Sequence, residues 1–175
     1  MSDSQRSQAG QEQGVTPVIP GTVIESITID APIGAVFAAM SDPDIRAQWA
    51  KLPGGERTYE LDFRVDGIEA RTSVFPNIGR DERVDVRTRF IEIVAPRRIV
   101  SEVQLRLDGV FRMTSLVAWE LTEASEGSDV ATRVDYTEQY LVLVPTGDGT
   151  ADQKERRGGT PMMLRLFKIT VEELR

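Results

Sequence analysis

Neither cysteine nor histidine occurs anywhere in the chain. Without cysteine there is no disulfide framework and no thiolate chemistry, which excludes redox sensing through thiols and fits the cytosol. Without histidine the commonest general base is missing, and with cysteine gone too, so are the usual zinc ligands. No metal or cofactor is expected, and any catalysis falls to Asp, Glu, Tyr, Lys, Ser or Thr. Long apolar runs are also lacking: no stretch of about 18 residues could span a membrane. The opening MSDSQRSQAGQEQG has no basic start leading into an apolar segment, so a soluble, cytoplasmic protein without a secretory leader is expected. Positive charge is also outnumbered, 21 Lys and Arg against 28 Asp and Glu. A net charge of -7 and a pI near 4.8 oppose the field that gathers phosphates, so neither nucleic acid nor an anionic membrane is expected as a partner.

What is present reads as one globular domain. The 175 residues, 40% hydrophobic and 28% charged, suffice for a single sizeable core. Residues 1–21, rich in Ser, Gln, Gly and Pro, cannot repay the entropy of ordering and are expected to form a flexible tail, with the domain over residues 22–175. TVIESITI from Thr22 reads as a strand ending at Asp30-Ala31-Pro32. PIGAVFAAM and SDPDIRAQW read as two short helices, the second capped by Ser41 or Asp42 with Pro43 in its first turn. RTYELDFRV alternates cleanly and is followed by Asp66-Gly67, a two-residue hairpin signal, and by IEARTSVF. RVDVRTRFIEIV, RRIVSEVQLRL, FRMTSLVAWEL and ATRVDYTEQYLVLV continue the strands, with Asp108-Gly109 as a second hairpin turn and EASEGSD as a loop. PTGDGTADQ reads as a flexible loop. Thr160 then reads as a helix cap with Pro161 at the first helical position, and Met163, Leu166, Phe167, Val171 and Leu174 form an apolar stripe. A sheet face this large needs a cover, and the last helix is the natural one.

This order, with APIGAVFAAMSDPDIRAQW between the first two strands, resembles the START-like helix-grip superfamily, also called SRPBCC. Within it, LDFRVDG, FIEIVAPRRIV, SLVAWEL and RVDYTEQ resemble the family of homologues of the activator of the heat-shock chaperone ATPase, from about Thr22 to Leu174. The resemblance implies an α+β fold: a seven-stranded curved antiparallel sheet gripping a long C-terminal helix, with two short helices between strands 1 and 2. It also implies a cavity between sheet and helix, with Trp49 beside its mouth. Relatives tend to have Gly and then an aromatic after the Gly-Thr near the last helix. Here the run is GGTPMML, and Met162 puts a flexible thioether where they carry a ring.

The period of two places Glu138 in the row that faces this cavity, beside Tyr136 and Tyr140. Buried without a partner, such a carboxylate has a raised pKa and serves as an acid, a base or a ligand anchor; satisfied by an arginine or a loop amide, it is structural. Arg71 and Glu92 lie in strands whose inward register the alternation does not decide, and each is read either as the partner of Glu138 or as solvated. The candidate cavity lining is Trp49, Tyr59, Phe63, Phe90, Met113, Trp119, Tyr136, Glu138, Tyr140, Met162, Met163 and Leu166, and for the aromatics the competing reading is core filling. Three functions fit. The first is binding of a small hydrophobic or aromatic molecule. The second is an enzyme of the polyketide cyclase or aromatase type, weakened by the missing histidine. The third is a chaperone-partner protein acting through its surface, for which no docking segment is visible.

Overall fold

The computed structural model describes residues 17–52, 54–55, 57–77, 80–126 and 129–174. Ile19–Ile29 (β1) leads into two short helices, Ile33–Ser41 (α1) and Pro43–Ala50 (α2). Six strands follow, Arg57–Leu61 (β2), Ile68–Asn77 (β3), Arg80–Val94 (β4), Arg98–Leu107 (β5), Val110–Glu126 (β6) and Asp129–Val142 (β7), and Thr150–Glu173 (α3) comes last. The strands form one antiparallel sheet in the order β1-β7-β6-β5-β4-β3-β2. The expected seven-stranded helix-grip architecture is therefore present. Because β1 and β2 sit on opposite edges, the segment between them must cross the sheet, and α1 and α2 make that crossing. Register shifts in β4 between Phe90 and Glu92 and at the β5–β6 pairing between Leu105 and Arg106 supply the bends that curve a long sheet.

Local sequence explains most boundaries. Asp42 caps α2, its carboxylate accepting from the backbone N–H groups of Asp44 and Ile45 at 2.9 and 3.0 Å, with Pro43 in the first turn. Asp108 and Gly109 have φ of 48° and 79° between the paired Leu107 and Val110, the double positive φ of a two-residue hairpin turn. At the other predicted turn the structure differs. β2 ends at Leu61, opposite Glu69, and the connection takes in Phe63. Its backbone is drawn onto β4 instead: Asp66 N–H donates to the Phe90 carbonyl at 2.8 Å and Phe90 N–H to the Gly67 carbonyl at 3.1 Å. β1 begins at Ile19, opposite Val142, ahead of the Thr22 expected; the rest of the predicted tail, residues 1–16, lies outside the described residues.

The largest correction is at α3. Thr160-Pro161 is mid-helix, and the helix begins at Thr150, after Gly149 in the left-handed region, so the TADQ segment is helical and not loop. Asp152 holds that start: it accepts from Thr146 N–H at 2.6 Å and pairs with Arg112 of β6 at 3.0 Å. Proline without an N–H leaves the Arg157 carbonyl short of its helical donor, and Gly158 and Gly159 disfavour helix next to it. Tertiary packing overrides this, since Thr160 and Leu164 just beyond are both buried. The buried stripe of α3 is Leu164, Phe167 and Val171, whereas the predicted stripe members Leu166 and Leu174 are about half exposed, at 48% and 54%.

Phe167 sits at the centre of the core, with its ring 4.6 Å from Trp49 and 5.8 Å from Trp119, which in turn lies 4.8 Å from Tyr136. Phe63 and Phe90, 4.9 Å apart, extend this cluster toward α1. No helix among the described residues is long and apolar enough to cross a membrane. Tyr140 packs in a separate small cluster with Val23, Met113 and Val142, its ring laid over Gly21 so closely that a Cβ there would overlap it. Gly21→Ala is therefore expected to lower stability by about 1–3 kcal/mol, as overpacking does, read as a lower urea midpoint at unchanged slope.

Candidate functional site

The curved sheet is only partly filled by the aromatic core. Beside it lies a cavity of about 730 Å³. Its floor is sheet: Val86 and Thr88 of β4, Ser101, Val103 and Leu105 of β5, Met113, Val117 and Trp119 of β6, and Tyr136 of β7. Its roof is α3, through Arg156, Gly159, Thr160, Met162, Met163 and Leu166, and its side wall is α2 with Lys51 and Leu52, completed by Arg57, Glu69 and Arg71. Most of this surface is apolar, and the polar groups gather into two charged clusters.

In the first cluster, fully buried Glu69 of β3 meets Arg46 of α2 in a two-point pair, Nε to Oε1 at 2.7 Å and Nη2 to Oε2 at 3.1 Å. The remaining Arg46 nitrogen donates to the Met40 carbonyl at 2.9 Å, and the Tyr59 hydroxyl donates to Glu69 Oε1 at 3.0 Å. Arg71 stands on the other side, its Nε 3.8 Å from Glu69 Oε2 and its Nη1 donating to the Ala50 carbonyl at 2.8 Å. Burial alone would raise the Glu69 carboxyl, but the charges of Arg46 and Arg71 and the hydrogen bonds outweigh it and hold it at about 2. Burial, reinforced by the Glu69 charge, pushes the Tyr59 hydroxyl up.

In the second cluster, Glu138 of β7 is fully buried, and Arg156 of α3 reaches down to its Oε2 through Nη2 at 2.6 Å and Nε at 2.7 Å. The Tyr136 hydroxyl donates to the same oxygen at 3.1 Å. Burial and then the Glu138 charge push that hydroxyl up. Glu138 Oε1 and the hydroxyls of Ser115 and Tyr140 are buried without a hydrogen-bond partner among the described residues.

Of the predicted lining, Trp49, Met113, Trp119, Tyr136, Met162, Met163 and Leu166 stand in the cavity wall. The other five do not: Phe63 and Phe90 pack in the core, Tyr59 turns its hydroxyl to Glu69, Tyr140 covers Gly21, and Glu138 lies behind Arg156 and Tyr136. Trp49 is a buried wall rather than a mouth residue, only 3% exposed, with its indole N–H donating to the Ala39 carbonyl at 3.0 Å. Neither Arg71 nor Glu92 is the partner of Glu138: Arg71 belongs to the first cluster and Glu92 to an exposed pair with Arg98. The true partner, Arg156, lies ahead of Thr160, where the helix was expected to start, and its place on α3 was therefore not legible. Arg46 and Glu69 were not legible as a pair either. Their signals were the helical spacing that puts Arg46 with Trp49 and Ala50, and the alternation Glu69, Arg71, Ser73 along β3. Among the described residues no group of acidic side chains is arranged to hold a metal ion.

The family model described as activator of Hsp90 ATPase homolog 1-like protein matches residues 30–172. Among solved structures, an uncharacterised protein from Rhizobium leguminosarum is 28% identical, with a TM-score of 0.75 over 90% of this chain and 97% of its own. The Mll3558 protein from Rhizobium loti is 26% identical, with a TM-score of 0.68 over 89% of this chain and 99% of its own. A protein from Chromobacterium violaceum, 21% identical with a TM-score of 0.62 over 86% of this chain and 97% of its own, shares the fold. No curated protein is similar enough in sequence to match.

Two outcomes follow from the charged clusters. Because the folded carboxyl of Glu69 lies at about 2 against an ordinary 4.5, its stabilisation is present above pH 4.5 and is lost as pH falls toward 2. The difference amounts to about 3 kcal/mol. Urea unfolding between pH 7 and pH 2.5 should show that loss, and Glu69→Gln should be less stable at pH 7 and show a shallower acid slope. Arg156→Ala strands a buried carboxylate and is expected to cost about 3 kcal/mol by thermal unfolding. Replacing Arg156 and Glu138 together by leucine should recover most of it.

Proposed function

The chain belongs to the activator of Hsp90 ATPase homolog 1-like family, and from that premise we propose that it binds a small hydrophobic or aromatic molecule between the sheet and α3. The observation that carries this reading is the cavity itself. Its 730 Å³ falls within the roughly 300–1,000 Å³ usual for small-molecule sites, and such sites combine apolar walls with a few convergent polar groups. Val103, Leu105, Met113, Val117 and Trp119 offer the apolar floor, and Met162 and Met163 are flexible enough to fit a ligand of irregular outline. Tyr136 and Arg156 are the polar groups facing it on the α3 side, and Glu138 serves behind them by fixing both. In this reading the two buried carboxylates hold arginines in place and carry no protons for a reaction.

The test uses the neutral fluorophore Nile red, which brightens in apolar surroundings. It should bind the folded protein with saturable stoichiometry and be displaced by hydrophobic small molecules. Val103→Trp, which fills the floor of the cavity, should weaken binding at least tenfold while thermal unfolding shows the variant folded. Equal binding to that folded variant would refute the proposed location.

A further inference from the structure

We propose that the ligand of this cavity is a hydrophobic anion, and that Arg71 binds its carboxylate or equivalent oxyanion. The inference rests on the small-molecule reading above and adds the charge of the ligand.

Among the described residues the lining holds five cationic side chains, Arg46, Lys51, Arg57, Arg71 and Arg156, and one anionic one, Glu69. This is the reverse of the chain as a whole, whose net charge is -7. Each buried carboxylate is taken. Glu138 neutralises Arg156, and Glu69 is engaged at both oxygens by Arg46 and also accepts from Tyr59. Three cations remain after this pairing, of which Lys51 and Arg57 are exposed and Arg71 is withdrawn from solvent. Its side chain is only 15% exposed, and its approach to Glu69 is 3.8 Å, too long for a hydrogen bond. Among the described residues its one hydrogen bond goes from Nη1 to the Ala50 carbonyl, and its Nε is buried and unbonded.

A guanidinium offers five donors in a planar fork suited to carboxylate. Here the side chain is largely withdrawn from water and held by the Ala50 carbonyl and the Glu69 charge, so the ligand need not order it. The same cavity is lined by Val103, Leu105, Met113 and Val117, apolar ground for the rest of the molecule. A neutral ligand of the same shape would leave those buried donors unanswered, and such a mismatch is a strong source of discrimination.

The experiment compares 2-naphthoate with 2-naphthamide, which match in size and shape and differ in charge, by isothermal titration with the full chain at pH 7. Naphthoate should bind roughly tenfold or more tightly, the range of a charge-assisted hydrogen bond. Arg71→Met should bring the two to near parity while still binding Nile red, and Arg71→Lys should keep part of the preference. Equal affinities in the native chain, or a preference that survives Arg71→Met, would overturn the proposal and leave apolar binding standing. Failure of both naphthalenes to bind also overturns it, and Nile red then decides separately whether the cavity binds small molecules at all.

Discussion

Two arginines tie the helices to the sheet, and the cavity depends on them. Arg46 of α2 reaches Glu69 on β3, and Arg156 of α3 reaches Glu138 on β7. The anchoring strands lie toward opposite edges of the sheet, so the two ties hold the helical cover at two separate points. Buried ion pairs add little net stability over apolar residues of the same volume, because desolvation offsets most of their attraction. Their effect here is positional: neither helix can shift without uncovering a charge.

Between these ties the concave face is divided. Trp119 meets Trp49 and Phe167 edge to face, Trp49 and Phe167 are tilted at 51°, and the three rings fill the space beneath the C-terminal half of α3. Beneath its N-terminal half the facing side chains are smaller, Gly159 and Thr160 above and Thr88, Ser101 and Val103 below. The rings prop the helix above a floor that cannot reach it, and space is left over. Packing that fills one half thus creates the opening in the other.

On β7 the row expected to face the cavity, Tyr136, Glu138 and Tyr140, is buried, and the same alternation buries Val86, Thr88 and Phe90 on β4 and Met113, Ser115, Val117, Trp119 and Leu121 on β6. β3 defeats the same logic. Apolar Ile68 and Ala70 are half-buried, while Glu69 and Ser73 on the opposite face are fully buried. A polar row can face inward only if something answers it, and the answer comes from a helix more than twenty residues away. The start of α3 was hidden for a related reason. Thr160-Pro161 carries a strong local start signal, and the tether of Asp152 to Arg112 that begins the helix earlier is a contact between distant segments.

The amino-acid sequence by itself determined the order of elements, the hairpin at Asp108-Gly109, the cap at Asp42 and the aromatic content of the core. Periodicity and turn chemistry act over a few residues and are written locally. Tertiary structure decided which carboxylate meets which arginine, which aromatics became wall and which became core, and that Arg71 lies in the cavity wall without a close carboxylate of its own. Those outcomes depend on charges and volumes from remote segments meeting in one closed space.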